Sequence, residues 1–249
     1  MHATAKLTRT ILRLIVASFI LTQAAVGQEG PLVTDPPKGI TPPEIIQKFT
    51  AKEKEFKNAR KRCTYRQAVK MQQLDGESVV SEYQQVADVK LDESGKKVKS
   101  IVLAPQPTLV LTPEDAADIE NRLHFTLSTD ELPEYNVSYA GQQQEDDLHC
   151  YVFDVAPKQI EKDKRYFQGR IWVDDKDLQI VKMTGKSAPD IPRKKKRPEN
   201  LFPRFTTYRE LVGNHWFPTY SVTDDNLHFP AGDVHIRGTV KGTDYKCAP

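Results

Sequence analysis

The stretch YFQGRIWVDDKDLQIVKMTGK, residues 166–186, decides how the whole chain is interpreted. Its first half alternates with a period of two, which places Phe167, Ile171 and Val173 on one face of a strand. A second apolar run begins at Leu178, and aspartates fill the gap between the two runs. Asp and Lys at a loop tip are typical of turns, and their spacing here does not match a calcium loop, which also needs a glycine and a distal Glu. The stretch therefore predicts a β-hairpin with the acids in its turn.

The same alternation recurs along most of the chain and predicts nine or ten strands. They cover residues 65–74, 78–91, 97–103, 135–140, 149–157, 165–174, 178–186, 205–212, 216–224 and 234–242. Tight-turn signals such as Asp75-Gly76 and Gly213-Asn214 join several of them. Short turns imply antiparallel neighbours, and the alternation implies that one face of the sheet is covered while the other faces water.

Two helices are predicted near the beginning and the middle of the chain. Thr41 and Glu44 form a capping-box sequence before a helix over residues 42–62, and Thr112 begins a second helix over 113–123. Because helices do not recur between the strands, a parallel α/β fold is excluded. The expected fold is mainly β (α+β): a strongly curved antiparallel sheet, or incomplete β-barrel, with two helices as plug or lid.

The first residues have the order of a secretory signal peptide. Three cations precede the apolar run LIVASFIL, and small residues follow it up to Gly27. That run is well short of the roughly 18 to 20 residues that span a bilayer. We expect residues 1–27 to be the signal peptide, with cleavage after Ala24 as the alternative. Residues 28–40 are then a flexible leader, residues 41–249 a single domain, and the mature chain a soluble exported protein.

The cysteines leave their pairing open. Cys63, Cys150 and Cys247 lie far apart and form no CxxC pair. An oxidising compartment permits one disulfide with one thiol left over, and three small buried thiols without a bridge are the alternative. The formal net charge of +2 gives no bias of the whole chain towards nucleic acid.

No pattern in the chain predicts catalysis. The six histidines form no zinc motif, and there is no GxSxG and no glycine-rich phosphate loop. We therefore expect no enzymatic activity, no metal and no cofactor.

A run of five cations breaks the alternation after residue 186: Arg193, Lys194, Lys195, Lys196 and Arg197. A solvated loop balanced by nearby acids is the simpler interpretation of this run, and contact with an anionic surface, either a membrane or an envelope protein, is the functional one. Near an anionic membrane each cation contributes on the order of 1 kcal/mol. The export signal and the lack of interleaved aromatic residues speak against nucleic acid.

The order of these elements resembles the LolA-like group of periplasmic proteins, the outer-membrane lipoprotein-sorting family and its relatives. A signal peptide is followed by a helix that runs into TYRQAVKMQQLDGE and then by a long antiparallel meander interrupted by a second helix. The segment FQGRIWVDDKDLQIVKMTGK is similar to the family passage in which a strand ends in Trp-Val-Asp. The resemblance covers most of residues 40–245, although the connection 187–203 is longer than in several members.

The resemblance implies an unclosed barrel whose helical lid covers an apolar cavity. Family members bind acyl chains of lipoproteins or other lipids, and some act as periplasmic stress sensors. The sorting carriers hold the lid with an arginine inside the cavity, and no residue of this chain is matched to that role. We expect a periplasmic carrier for a lipid or an acylated protein; the alternative is a non-enzymatic envelope module for protein interaction or stress sensing.

The two functions differ in what they predict inside the sheet. A carrier predicts a sizeable apolar cavity, whereas an interaction module predicts a filled core and an exposed patch near the cationic run. Because the apolar face of each strand must point inward, six residues are the expected cavity lining: Phe167, Ile171, Val173, Val234, Ile236 and Val240.

Overall fold

The computed structural model describes residues 29–92, 96–196 and 199–247 of the 249-residue chain. The predicted signal peptide 1–27 and Arg197 lie outside these ranges. The described part contains two α-helices, α1 Pro42–Arg60 and α2 Pro113–Arg122, and a single 3-10 turn at Leu132–Glu134. Its ten strands are β1 Cys63–Asp75, β2 Ser78–Leu91, β3 Lys97–Leu103, β4 Tyr135–Glu145, β5 Leu148–Pro157, β6 Tyr166–Asp174, β7 Ile180–Ala188, β8 Phe205–Val212, β9 His215–Phe229 and β10 Gly232–Cys247.

All ten strands form one antiparallel sheet, in the order β3-β2-β1-β10-β9-β8-β7-β6-β5-β4. Two meanders, β1–β3 and β4–β10, are joined where the first strand pairs with the last, in a register from Cys63 opposite Cys247 to Leu74 opposite His235. Strands β3 and β4 are the two edges, so the sheet is not closed into a barrel. The predicted fold class, an incomplete barrel with two helices, is confirmed.

Both helices begin at the residues that the capping sequences predict. The Thr41 hydroxyl accepts the N–H of Glu44, and the Glu44 carboxylate accepts the N–H of Thr41 at 2.8 Å. Thr112 and Asp115 repeat this reciprocal arrangement at the start of α2. Each capping box satisfies N–H groups that have no partner inside the helix. It thereby fixes the residue at which each helix begins.

Each helix covers a different part of the inner face of the sheet. Under α1, Ile45 and Phe49 pack against a large core that includes Phe153 and Ile171 of β5 and β6. Under α2, Ile119 packs in a smaller cluster that contains these further residues: Val69, Met71, Leu123 and Val240. The two helices therefore pack on separate apolar clusters of the inner face.

The quoted stretch forms the β6–β7 hairpin, with Ile171 opposite Met183. In its turn the buried Asp174 carboxylate accepts the N–H groups of Lys176 and Asp177 at 3.1 and 3.0 Å. The Asp177 carboxylate accepts the indole N–H of Trp216 at 2.7 Å. The acids thus serve the turn and its neighbouring strand, and the prediction of a hairpin is confirmed.

Two glycines in this hairpin make room for an aromatic ring. Gly169 and Gly185 are paired across β6 and β7, and the ring of Phe167 lies over both. A Cβ on Gly169 would stand 2.1 Å from the Thr184 carbonyl oxygen and 2.9 Å from that ring. A side chain at position 169 would therefore overlap both the β7 backbone and this ring.

The outer face differs from the water-facing surface that alternation predicts. Trp172 points outward and is only 5 % exposed, because it packs with Cys150, Val152 and Val181. Leu32 packs against the same cluster. The alternation of apolar and polar residues predicts which face of the sheet a side chain lies on. It does not predict that another segment of the chain packs over that face.

That covering segment belongs to the expected flexible leader. The N–H groups of Gly30 and Val33 donate to β4 carbonyls at 2.8 Å, so residues 29–33 lie along the edge of the sheet. The buried Lys182 ammonium pairs with the Glu145 carboxylate at 2.8 Å and with that of Glu29. Backbone pairing and the ion pair between the half-exposed Glu29 and the buried Lys182 thus hold this part of the leader.

One disulfide joins Cys63, at the start of β1, to Cys247, at the end of β10. Cys150 is a buried free thiol, and burial raises its pKa to about 12. The structure therefore identifies the cysteine pairing that the sequence leaves open.

Among the described helices, none has both the length and the apolar character needed to cross a membrane.

We predict that Gly169→Ala lowers the free energy of unfolding by about 1–3 kcal/mol, because the added methyl group overpacks the contact with Phe167 and the β7 backbone. Chemical denaturation measures this change. Gln168→Ala, on the exposed outer face of the same strand, is the matched control and should change the free energy by less than about 0.5 kcal/mol. Equal effects of the two substitutions would contradict the packing described for this hairpin.

Candidate functional site

An apolar pocket of about 140 Å³ opens between α2 and the β9–β10 hairpin. Met71 of β1, which is paired with Gly238, and Ile236, the next residue of β10 on the same face, form its floor, and Ile119 of α2 forms one wall. Leu227 and Phe229, near the end of β9, line the side towards the hairpin tip. The pocket is thus the part of the inner face that α2 does not fill.

Leu109, Val110 and Leu111 line one side of the pocket, and residues 104–111, to which they belong, are here called the cover segment. Its Thr108 and Leu109 N–H groups both donate to the Glu82 carbonyl of β2 at 3.0 Å. The Thr108 hydroxyl accepts the Glu82 N–H at 2.8 Å. Leu109 and Leu111 pack against the cluster under α2, whereas Val110 between them is 84 % exposed. The segment therefore packs on the pocket through two leucines, and within the described ranges its backbone is hydrogen-bonded to Glu82 of β2.

The polar groups that line the pocket are already satisfied by one another. The buried Arg122 guanidinium donates to the Asp118 carboxylate at 2.7 and 3.1 Å, and the Ser187 hydroxyl donates to the same carboxylate. The Asn200 amide donates to Thr112 and Asp115 at 3.0 Å. These groups have little capacity left for a ligand, so the surface that the pocket offers is its apolar walls.

The cationic run lies beside this pocket. Arg193, Lys194, Lys195 and Lys196, here called the basic loop, are exposed and form one wall of a second, shallow groove. Phe229 and Val234, on the two strands of the β9–β10 hairpin, line both the groove and the apolar pocket. The predicted anionic-surface contact, apart from the undescribed Arg197, is thus next to the mouth of the pocket.

The six residues expected to line a cavity do not line one common cavity. Val234 and Ile236 line the apolar pocket. Ile171, Val173 and Val240 are 0 % exposed and packed in the cores under α1 and α2. Phe167 is 5 % exposed and lies beside another cleft of about 430 Å³, with Phe125 and Phe205. The role of Val234 and Ile236 in holding a ligand stays a prediction.

Sequence reasoning missed most of the pocket wall. Leu109 and Leu111 lie in a stretch that the two prolines of residues 104–107 marked only as a break between elements. Ile119 lies on a predicted helix, but nothing local shows that this helix crosses β1 and β10. One available signal is the sequence LVL immediately before the Thr112 cap, since three consecutive apolar residues are typical of a segment that packs against a core.

A buried ion pair ties α1 to the sheet. Arg209 of β8 donates to the Glu53 carboxylate of α1 at 2.7 and 3.2 Å, and both side chains are 1 % exposed. Arg209 also donates to the Phe125 carbonyl at 3.2 Å, and its guanidinium lies 5.1 Å from the centre of the Phe56 ring. Arg209 is therefore an interior arginine that holds a covering helix in place.

Three polar side chains come together at the end of α2: Tyr65, Glu120 and His124. The Tyr65 hydroxyl is 2.9 Å from Nε2 of His124, whose Nδ1 is 3.3 Å from the Glu120 carboxylate. Burial raises the pKa of Tyr65, which keeps the hydroxyl protonated and suits a hydrogen bond rather than nucleophilic attack. Within the described ranges, no three His, Cys, Asp or Glu side chains come together as metal ligands.

No protein-family model matches the sequence, and no curated protein matches it. Similar solved structures include a DUF1329 family protein from Desulfovibrio piger, with 13 % identity, 81 % of this chain and 91 % of that chain covered, and a TM-score of 0.42. A LolA superfamily protein from Nitrosomonas europaea has 13 % identity, coverages of 84 % and 94 %, and a TM-score of 0.38. An outer membrane lipoprotein-sorting protein domain from Vibrio parahaemolyticus has 12 % identity, coverages of 81 % and 93 %, and a TM-score of 0.41. The LolA group that the sequence resembles is thus among these similar structures.

We predict that Arg209→Leu lowers the free energy of unfolding by about 3–5 kcal/mol, because it leaves the Glu53 carboxylate buried without a partner. The double variant Glu53→Leu/Arg209→Leu should recover most of that loss, since neither charge remains buried. Denaturant titration of the single and double variants measures both changes.

The exposed pair formed by Arg170 and Asp154, also joined by two hydrogen bonds, provides the matched control. Arg170→Leu should change the free energy of unfolding by less than about 1 kcal/mol. If Arg209→Leu had no larger effect than Arg170→Leu, the buried pair would not be what holds α1 to the sheet.

Proposed function

We propose that this chain is an exported, non-enzymatic binding protein that takes the acyl chain of a lipid or of an acylated protein into the pocket between α2 and β10. The observation that carries the proposal is the character of the pocket. Met71, Ile119 and Ile236 give it apolar walls, while its buried ion pair and amide are satisfied within the protein. An apolar ligand gains from such a site, whereas a polar substrate finds few free partners.

The size of the pocket suits the end of a single chain. Cavities of about 150 Å³ with Leu, Ile and Phe walls bind molecules such as benzene, and this pocket measures about 140 Å³. Each buried CH₂ contributes about 0.8 kcal/mol, so six of them contribute about 5 kcal/mol. A longer chain requires the cover segment to move outward, which breaks the contacts of Leu109 and Leu111.

Export to an oxidising compartment is part of the proposal. The order of residues in 1–27 supports a signal peptide, which leaves the leader and one domain, 41–249, as the mature protein. The Cys63–Cys247 disulfide supports the same location, because such bonds persist outside the reducing cytosol. The resemblance in sequence order to LolA-like proteins supports a bacterial periplasm as that compartment.

A second function is favoured by the free edge of β3. This strand pairs on one side with β2 and carries four apolar side chains that are 42–53 % exposed: Val98, Ile101, Val102 and Leu103. An exposed, apolar edge strand is a template for the addition of a strand from another chain. A protein-interaction module would use this edge and would need no ligand in the pocket.

Native mass spectrometry of the protein, secreted into a bacterial periplasm and purified without detergent, separates the two functions. For a carrier, wild type should retain a lipid or acylated peptide, and Ile236→Glu should reduce its occupancy at least about tenfold, because the charge lies against the chain. Ile236 is a better position than Ile171, since a charge at the fully buried Ile171 would unfold the core.

Ile101→Glu on β3 is the matched control, and a carrier should keep its ligand in this variant. Ile236→Val should retain it as well, because the pocket stays apolar. A wild-type protein that remains free of ligand after incubation with lipids would overturn the carrier and leave the β3 edge as the functional surface.

A further inference from the structure

We infer that the ligand is an anionic amphiphile with a single acyl chain, whose charged head lies against the basic loop and whose chain passes over Phe229 and Val234 into the apolar pocket. This inference rests on the proposed function, because it needs the pocket to accept the chain. It adds the charge of the ligand, the number of its chains and the direction in which it lies.

The end of the β9–β10 hairpin lies between the groove of the basic loop and the apolar pocket. Phe229 is paired with Gly232, and Leu227 with Val234, so Phe229 and Val234 stand next to the turn. Both are half-buried, and both face the groove of the basic loop as well as the apolar pocket. A molecule that fills the pocket and extends past these two side chains reaches the basic loop directly.

The charge of the groove selects an anion. Its four cations outnumber its two carboxylates, those of Glu199 and Asp233. Within the described residues, no ion pair joins the basic loop to either carboxylate, and Asp233 lies 2.9 Å from the ring of His228. The arginine and three lysines of the basic loop, which form no ion pair with Glu199 or Asp233 in the described part of the chain, can pair with a phosphate or carboxylate head group.

The volume of the pocket limits the ligand to one chain. At about 140 Å³ it is close to the volume of a cavity that holds one benzene molecule. Asp118 and Arg122, which line the pocket together with Ile119, are bonded to each other, so their side chains do not add to its apolar surface. A two-chain lipid would have to leave one chain in water.

Isothermal titration of the mature protein with two lysolipids of equal chain length, each below its critical micelle concentration, tests the inference. Lysophosphatidylglycerol is anionic and lysophosphatidylcholine is zwitterionic. Wild type should bind the anionic lipid about tenfold more tightly at low salt, and added salt should reduce that preference. The triple variant Lys194→Glu/Lys195→Glu/Lys196→Glu should lose the preference while it still binds lysophosphatidylcholine within about twofold of wild type.

A second triple variant provides the matched control. Lys38→Glu/Lys48→Glu/Lys246→Glu makes the same change in net charge at exposed lysines away from the pocket and groove. It should keep the preference for lysophosphatidylglycerol. If it lost the preference as well, the overall charge of the protein and not the basic loop would be responsible, and the inference would be overturned.

Other outcomes overturn the inference in different ways. If wild type and the basic-loop variant bound both lysolipids equally, the head-group site would be contradicted and the proposed acyl-chain binding would stand. If neither lysolipid bound, the head-group site and the proposed acyl-chain binding would both be contradicted. Inorganic phosphate that binds the loop without competing with lysophosphatidylglycerol would indicate a separate anion site. Binding only to vesicles of equal parts phosphatidylglycerol and phosphatidylcholine, unchanged by Ile236→Glu, would indicate contact with a membrane surface instead.

Discussion

The antiparallel pairing of β1 with β10 is the interaction on which the rest of the structure depends. It joins the first strand of the chain to the last and so turns two separate meanders into one sheet. The sulfur of Met71 occupies the space where a side chain on Gly238 would stand, 2.3 Å from that ideal Cβ position, so the two strands fit closely on their inner face. Since Met71 and Ile236 form the pocket floor, the same pairing that completes the sheet creates the candidate site.

Local sequence signals predicted nearly all of the elements, because alternation, capping residues and tight turns act within a few residues of each other. The same signals could not predict that β1 pairs with β10, since the disulfide at the end of that pairing joins residues 184 positions apart. They also could not tell a filled core from a cavity. Ile171 and Val173 point inward as expected, but whether space remains beside them depends on Phe49 of α1, which comes from a distant part of the chain.

The two helices leave the two parts of the inner face in different states. Under α1 the core is large and aromatic, and the buried pair of Arg209 and Glu53 fixes the helix to the sheet. Under α2 the cluster is small, and the cover segment completes it; in the described part of the chain, the backbone N–H groups of Thr108 and Leu109 tie this segment to Glu82 of β2. Segments with few buried contacts open at lower cost than a packed core. The inner face thus combines a packed side, fixed by a buried ion pair, with a side whose cover makes few buried contacts.

Photo-crosslinking with a diazirine-labelled fatty acid, followed by peptide mapping, tests most directly whether the pocket under α2 holds an acyl chain. We expect adducts on the peptides that contain Leu109, Ile119 and Ile236, with the diazirine near the end of the chain. Moving the diazirine towards the carboxylate should shift the adducts to Phe229 and the basic loop. Adducts concentrated on the β3 edge, or spread over the surface without regard to the label position, would contradict the account.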